Sequence, residues 1–471
     1  MTGDAAELMF AGIARQAELV ASGEVSAREL VEASLDRIAR LDPQLNAFRV
    51  VLGERAAADA DQADARRAAG DRRPLLGVPI AVKDVSDVAG EVTTHGTSAH
   101  GPPARRDSEL VRRLRAAGAV VIGKTHTPEL AQWGFTESAT FGVTRNPWQL
   151  DRTPGGSSGG SAAAAAAGLV GLATASDGLG SIRIPAASCG LFGLKGQRGR
   201  VPLAPDGDHW HGLSVAGALT RSVLDTGLFL DAVAGAPAAG SGASDAGGAF
   251  AAAASRRPDR LRIVVAMNPP PFLRPAGDAA LEAVRVSAEL LAGLGHEVVE
   301  GRIDYGAAVT RALVRALRGV HDDGVRMPAP HRLERRTRRA VRLGSLVPGA
   351  GIARERARES GAARRLGAVL EGRDVLLMPT TAAPATEIGA LEGLGPVTTR
   401  LAEGTRWPGG FTPAWNLTGQ PAAAVPAGFD GQGLPLSVQL VGHASDEATL
   451  LSLAAELEAE RPWAEHRPPL G

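Results

Sequence analysis

The residues most able to do chemistry in this chain fall in one stretch between Thr153 and Gly196, TPGGSSGGSAAAAAAGLVGLATASDGLGSIRIPAASCGLFGLKG. Three kinds of chemistry could use it. A phosphate-binding glycine loop would need G-x-x-x-x-G-K-[ST], which is absent, and no lysine follows PGGSSGGSA. A nucleophile elbow is formally satisfied by Gly156-Ser157-Ser158-Gly159-Gly160, with His443 or His466 as the late histidine. That elbow needs a strand directly before the serine, whereas RNPWQLDRTP reads as an irregular loop. The third is a lysine–serine system. Serine is a weak nucleophile until a base takes its proton. Lysine can be that base only when neutral, and burial in an apolar strand lowers its pKa. Lys83 fits, as a lone lysine ending the apolar run VPIAVK.

The elements that must position these groups follow from periodicity. LLGVPIAVKDV (75–85) reads as a buried strand. Ser26 with Glu29 three residues on is a capping box opening a helix that carries Leu30, Val31, Leu35, Ile38 and Leu41. A second helix, Ala-, Asp- and Arg-rich, covers about 53–69. Asp107 is placed as the cap of SELVRRLRAAG, Gly118 ends that helix, and the strand AVVIGKT follows. After TPGGSSGG come a short helix, SAAAAAA, and a strand, GLVGLATAS. Further strands are LRIVVAM, HEVVEGRI, DVLLMPTTAAP, AAAVPAGF and LSVQLVG, with helices over 278–294, 306–372 and from Asp446. The segment from about 235, AGAPAAGSGASDAGGAFAAAAS, is small and polar and reads as a surface linker or meander. Helix alternating with strand means an α/β sheet protein.

Composition narrows the function. Lys+Arg and Asp+Glu number 51 each, so the net charge is zero and a general nucleic-acid binder is excluded. The arginine run HRLERRTRRAVRL (331–343) is read as a solvated helix face with Leu333, Val341 and Leu343 turned inward. One cysteine, Cys189, allows neither an intrachain disulfide nor a cysteine zinc site, and its apolar surroundings suit a small core residue. His209 and His211 flank Trp210 without a third ligand, so no metal is expected; that loop is placed at a pocket rim instead. No run is long enough to span a membrane, and no secretory signal is seen, so a cytoplasmic protein is expected.

GVPIAVKDV, GKTHTPELAQWGF, TRNPWQLDRTPGGSSGGSAAAAAAGL and DGLGSIRIPAASCGLFGLKGQRGRVP resemble, in order and spacing, the core of the amidase signature family. GALTRSVLDTGLFLDAV and FTPAWNLTGQPAAAVPAGFDGQGLPLSVQLVG extend the resemblance, which fades over 240–372. It implies one large α/β/α domain around a mixed twisted β-sheet. Its parts would be N-terminal helices (1–70), the catalytic core motifs (71–235), a variable substrate-shaping region (236–373) and a C-terminal sheet and helix (374–471). It also implies a serine amidohydrolase acting on linear amides without a cofactor. Lys83 matches the catalytic lysine, Ser157 the bridging serine after a cis peptide from Gly156, and Ser181 the nucleophile. The N–H groups of Gly178, Leu179, Gly180 and Ser181 would form the oxyanion hole. Asp177 and Arg183 would hold that loop, and Ser158 would bond within the relay. The usual Gly-Gly before the nucleophile is Leu179-Gly180 here; Leu179 is expected at ordinary φ, with its side chain narrowing the site.

Trp133 and Trp210 are pocket candidates, with core packing the alternative for Trp133. Segments 200–215, 266–277 and 305–372 are expected to shape acyl selectivity. A glutamyl-tRNA amidotransferase A subunit, passing ammonia to a partner, and an acyltransferase would use the same triad. SIRIPA, where those subunits more often resemble SIRQPA, favours a stand-alone enzyme. A small-molecule amide is the expected partner, with neither nucleic acid nor membrane, and a homo-oligomer is left open.

Overall fold

A computed structural model describes residues 5–234, 248–405, 407 and 410–470. Short, largely buried segments build the strands β1 (Phe48–Val51), β2 (Pro79–Lys83), β3 (Val120–Thr125), β4 (Leu172–Asp177), β5 (Gly193–Lys195) and β6 (Val215–Thr220). Further along are β7 (Arg262–Val265), β8 (Glu297–Glu300), β9 (Val375–Pro379), β10 (Ala422–Phe429) and β11 (Pro435–Val441); a small hairpin of Glu137–Ser138 with Gly142–Val143 stands apart. The first sheet has the order β1-β3-β2-β4-β6, and the second β8-β7-β9-β11-β10-β5. A bridge between Phe192 and Thr220 joins them through β5 and β6. Parallel and antiparallel pairs are mixed: β2 runs parallel to both β3 and β4, while β4 pairs antiparallel with β6. The molecule is thus the single mixed α/β domain expected from the sequence.

Sheet order decides where chemistry can happen. Because β2 and β4 are parallel neighbours, their carboxyl ends, Lys83 and Asp177, open on the same edge, the usual site edge of such sheets. Five of the helices matter here: α1 (Gly159–Ala166), α2 (Arg183–Cys189), α3 (Ala308–Arg326), α4 (Arg335–Gly344) and α5 (Pro396–Thr405). Every residue of α1 is buried, which explains its restriction to Gly, Ala and Ser. A Cβ on Gly160 would lie 2.5 Å from the backbone nitrogen of His126, so only glycine lets this helix seat against β3.

Local readings hold in part. The Ser26–Glu29 capping box forms as expected. Asp107 does not cap: Ser108 precedes the helix, and the Asp107 carboxylate accepts from the N–H of Ala89. The strand read over 75–85 shrinks to Pro79–Lys83. Of the expected linker, 235–247 lies outside the described residues, and Ala249–Ala254 is a short helix instead. Among the described residues no helix is long and apolar enough to cross a membrane.

Candidate active site

Lys83 ends β2 fully enclosed, and burial pushes its ammonium down to about 7, with only the Asp177 charge opposing. Its Nζ lies 2.7 Å from Ser157 Oγ and 2.9 Å from Ser176 Oγ. Ser157 follows a cis peptide from Gly156, just ahead of α1. Ser181 sits between β4 and α2, half-buried, and faces a cavity of about 340 Å³. The Lys83–Ser157 contact is therefore made. No hydrogen bond joins Ser157 to Ser181 in this structure, and such contacts often tighten only around substrate.

Two other strand-end lysines are equally buried and show why the partner matters more than the pattern. Lys195 is pushed down to about 7 by burial, but among the described residues its Nζ donates to the carbonyl of Gly196 at 3.1 Å and to no hydroxyl. Lys124 pairs with Asp84 at 2.7 Å. Lys83 alone of the three has a serine hydroxyl.

Beneath the Ser181 loop lies a buried ionic knot. The Asp177 carboxylate accepts from Arg183 Nε and Nη2, both at 3.0 Å, and from Asn416 Nδ2 at 2.8 Å. Burial would raise its pKa, but the Arg183 charge and these bonds outweigh that and hold it at about 2. Arg183 Nη1 donates to Gln439 Oε1 at 2.8 Å and to the carbonyl of Thr412 at 2.9 Å. The pair is therefore an ion pair and a loop anchor at once, since Asp177 also accepts from the N–H groups of Gly180 at 2.6 Å and Ile182 at 3.2 Å.

That last contact corrects the expected donor set. The Gly180 N–H is taken by Asp177, so it does not face an oxyanion here; the N–H groups of Gly178, Leu179 and Ser181 have no partner among the described residues. Ser158 also differs: its hydroxyl donates to the carbonyl of Ser176 at 3.3 Å instead of joining the relay. The elbow reading fails because the residues before Gly156 form no strand, and His443 instead bonds the carbonyl of Arg373.

Leu179 is accommodated by its neighbour. Gly180 takes the left-handed backbone at φ +131°, while Leu179 does not lie at positive φ and turns its side chain to the cavity. Trp210 stands opposite, its Nε1 donating to Asp323 Oδ2 at 2.7 Å. A Cβ on Gly178 would lie 2.8 Å from the indole, so glycine there admits the ring. Trp133 also lines the cavity, with Arg336 and Arg400 over its ring. His209 shares Asp323, while His211 pairs with Asp322; among the described residues no cluster could hold a metal. Cys189 is buried in the core and burial raises its thiol pKa, so it cannot act as a nucleophile.

All three segments expected to shape the pocket reach it, through Trp210, Leu273, and Leu313, Leu317 and Leu343. The sequence reading missed Ser176, Thr412, Asn416 and Gln439, and the whole of α5, which contributes Val397, Arg400 and Leu401. Ser176 had a signal: Thr174 and Ser176 put hydroxyls on one face of an otherwise apolar strand, and both meet Lys83.

Residues 29–451 match the Amidase family. The chain is 52% identical over 467 residues to the Mycobacterium tuberculosis protein named "Putative amidase AmiB2", with 99% of each covered. It is 35% identical over 494 residues to the 6-aminohexanoate-cyclic-dimer hydrolase of Paenarthrobacter ureafaciens, with 97% of this chain and 96% of that one covered. A solved 6-aminohexanoate cyclic dimer hydrolase complexed with substrate superposes with a TM-score of 0.90 at 31% identity, covering 98% and 99% of the two chains. This protein belongs to the Amidase family, the amidase signature enzymes, and is an amide hydrolase.

Proposed function

We propose that the amide is cleaved through an acyl-enzyme on Ser181. Neutral Lys83 accepts the Ser157 proton as Ser157 accepts that of Ser181, and Ser181 Oγ bonds to the carbonyl carbon. The N–H groups of Gly178, Leu179 and Ser181 receive the developing oxyanion, where a single aimed donor is worth about 3–4 kcal/mol. The C–N bond then breaks as Ser157 protonates the leaving amine and Lys83 returns a proton to Ser157. Water attacks the ester by the same relay, releasing the acid and restoring Ser181.

The observation that supports this most directly is the fully buried Lys83, with its pKa lowered to about 7, 2.7 Å from Ser157. A fluorophosphonate should label Ser181, located by peptide mass spectrometry, and Ser181→Ala should be inactive. An active preparation without label at Ser181, or full activity in Ser181→Ala, overturns the mechanism. The linear amide remains our proposed substrate form. The cyclic dimer named for the Paenarthrobacter relative is the control that tests this choice.

A further inference from the structure

The cavity at Ser181 is walled almost entirely by hydrocarbon. Its floor is Leu179, Trp210, Ala316, Val320 and Ala340, all buried. Its mouth is formed by Leu313, Val397 and Leu401, which line the cavity although they are 36%, 53% and 59% exposed. An apolar lining that continues to the surface in this way marks a binding path.

Among the described residues, the charged side chains of the wall are already paired. Arg400 pairs with Glu403 at 2.9 Å, donates to the carbonyl of Gln132 and lies over the Trp133 ring. The other Glu403 oxygen accepts from the N–H of Gly134 at 2.7 Å. Gln132 Nε2 donates to Thr337 Oγ1 at 3.1 Å. Among the described residues, a substrate ammonium or carboxylate placed beside Ser181 would therefore meet no unpaired countercharge, and burying an unpaired charge is strongly unfavourable.

We propose that the substrate's acyl group is an uncharged alkyl or aryl chain of several carbons, and that amides whose acyl group carries a charge, glutamine included, are rejected. This rests on the acyl-enzyme reading above, because the acyl chain stays at Ser181 through both half-reactions. The apolar wall can therefore hold it throughout.

The test compares kcat/KM for acetamide, butanamide, hexanamide, 2-aminohexanamide, L-glutamine and N-hexylacetamide. From butanamide to hexanamide kcat/KM should rise about fourfold per methylene, the value of burying one CH₂. At pH 7, 2-aminohexanamide and glutamine should fall at least tenfold below hexanamide. Alkyl fluorophosphonates of increasing chain length should label Ser181 with the same trend, so the test does not depend on a good amide being in the set. Ala340→Phe, filling the floor, should lower the hexanamide-to-acetamide ratio at least fivefold. Leu313→Asp at the exposed mouth should also lower it and covers the case where the core change unfolds the protein. Equal rates for glutamine and hexanamide, no chain-length trend, or a trend with N-alkyl instead of acyl length overturns the inference. If Ser181 takes the label without a chain-length trend, only this inference fails; if it takes no label, the acyl-enzyme reading fails.

Discussion

Replacing Lys83 by methionine should abolish activity and yet stabilise the protein at neutral pH. The lysine is buried with its pKa lowered from 10.5 to about 7. The unfolded chain keeps that proton up to its ordinary pKa, so between pH 7 and 10.5 the unfolded state binds more protons than the folded one. Stability therefore rises with pH across that window, and the buried lysine costs most at its lower end. From the two pKa values the cost is on the order of 4 kcal/mol at pH 7 and roughly 2 kcal/mol at pH 9. Methionine removes that cost and fills a similar volume, but it leaves Ser157 and Ser176 without their shared partner. Those two lost bonds cost about 2 kcal/mol together. The net gain is about 2 kcal/mol at pH 7, vanishing near pH 9. Calorimetric Tm values for Lys83→Met and the parent, at pH 7, 8 and 9, measure the crossover, while kcat/KM should drop by about 10²–10⁴. A Tm difference independent of pH, or a variant less stable at pH 7, would refute the claim that Lys83 is held as a free amine.

On the proposed relay the same titration sets the rate: kcat/KM of the parent should rise about tenfold between pH 6 and pH 8 as Lys83 loses its proton, then level. A flat profile counts against Lys83 as the base. Ser176→Ala removes the second Nζ contact and should lower kcat/KM by about 2- to 12-fold, from one hydrogen bond, and move the acid limb of the pH profile; an unchanged limb would show Ser176 to be structural only. Arg183→Met leaves the Asp177 carboxylate buried without its cation and should destabilise the fold by about 3–5 kcal/mol, measured by urea unfolding at pH 7. A loss below 1 kcal/mol would mean that Asn416 and the loop N–H groups suffice.

The parts of the site legible in sequence were those set by local order. The β2 lysine, the Gly–Ser turn and the Ser181 loop each occupy one short segment, which is why the family resemblance could place them, while helix–strand alternation gave only the elements around them. Burial by itself did not single out Lys83, because Lys124 and Lys195 are strand-end lysines of the same kind; only the three-dimensional partner separates them. The donor set was over-read at Gly180, because the sequence does not show that Asp177, three residues earlier, folds back onto its N–H. The cavity wall was legible only as segments. The stripe Leu313, Leu317 and Val320 has the spacing of an ordinary core-facing helix, and an empty cavity and a packed core ask for the same residues. Thr412, Asn416 and Gln439 reach Arg183 across more than 200 positions, and no local pattern carries that information.

Gly180 takes the left-handed backbone at the turn, and this releases its neighbour from any conformational duty. Position 179, at ordinary φ, needs no glycine, so other apolar L side chains are compatible with the same chain path to Ser181. It is therefore a place where substrate preference can drift or be redesigned by one codon, with Ala, Val or Phe reshaping the cavity beside the reacting carbon. Position 180 has no such latitude, since its φ of +131° disfavours any L side chain and a Cβ there would lie 2.9 Å from Thr412 Cβ. Adjacent residues in one loop thus have opposite tolerance for change, and a saturation library at each should display it directly.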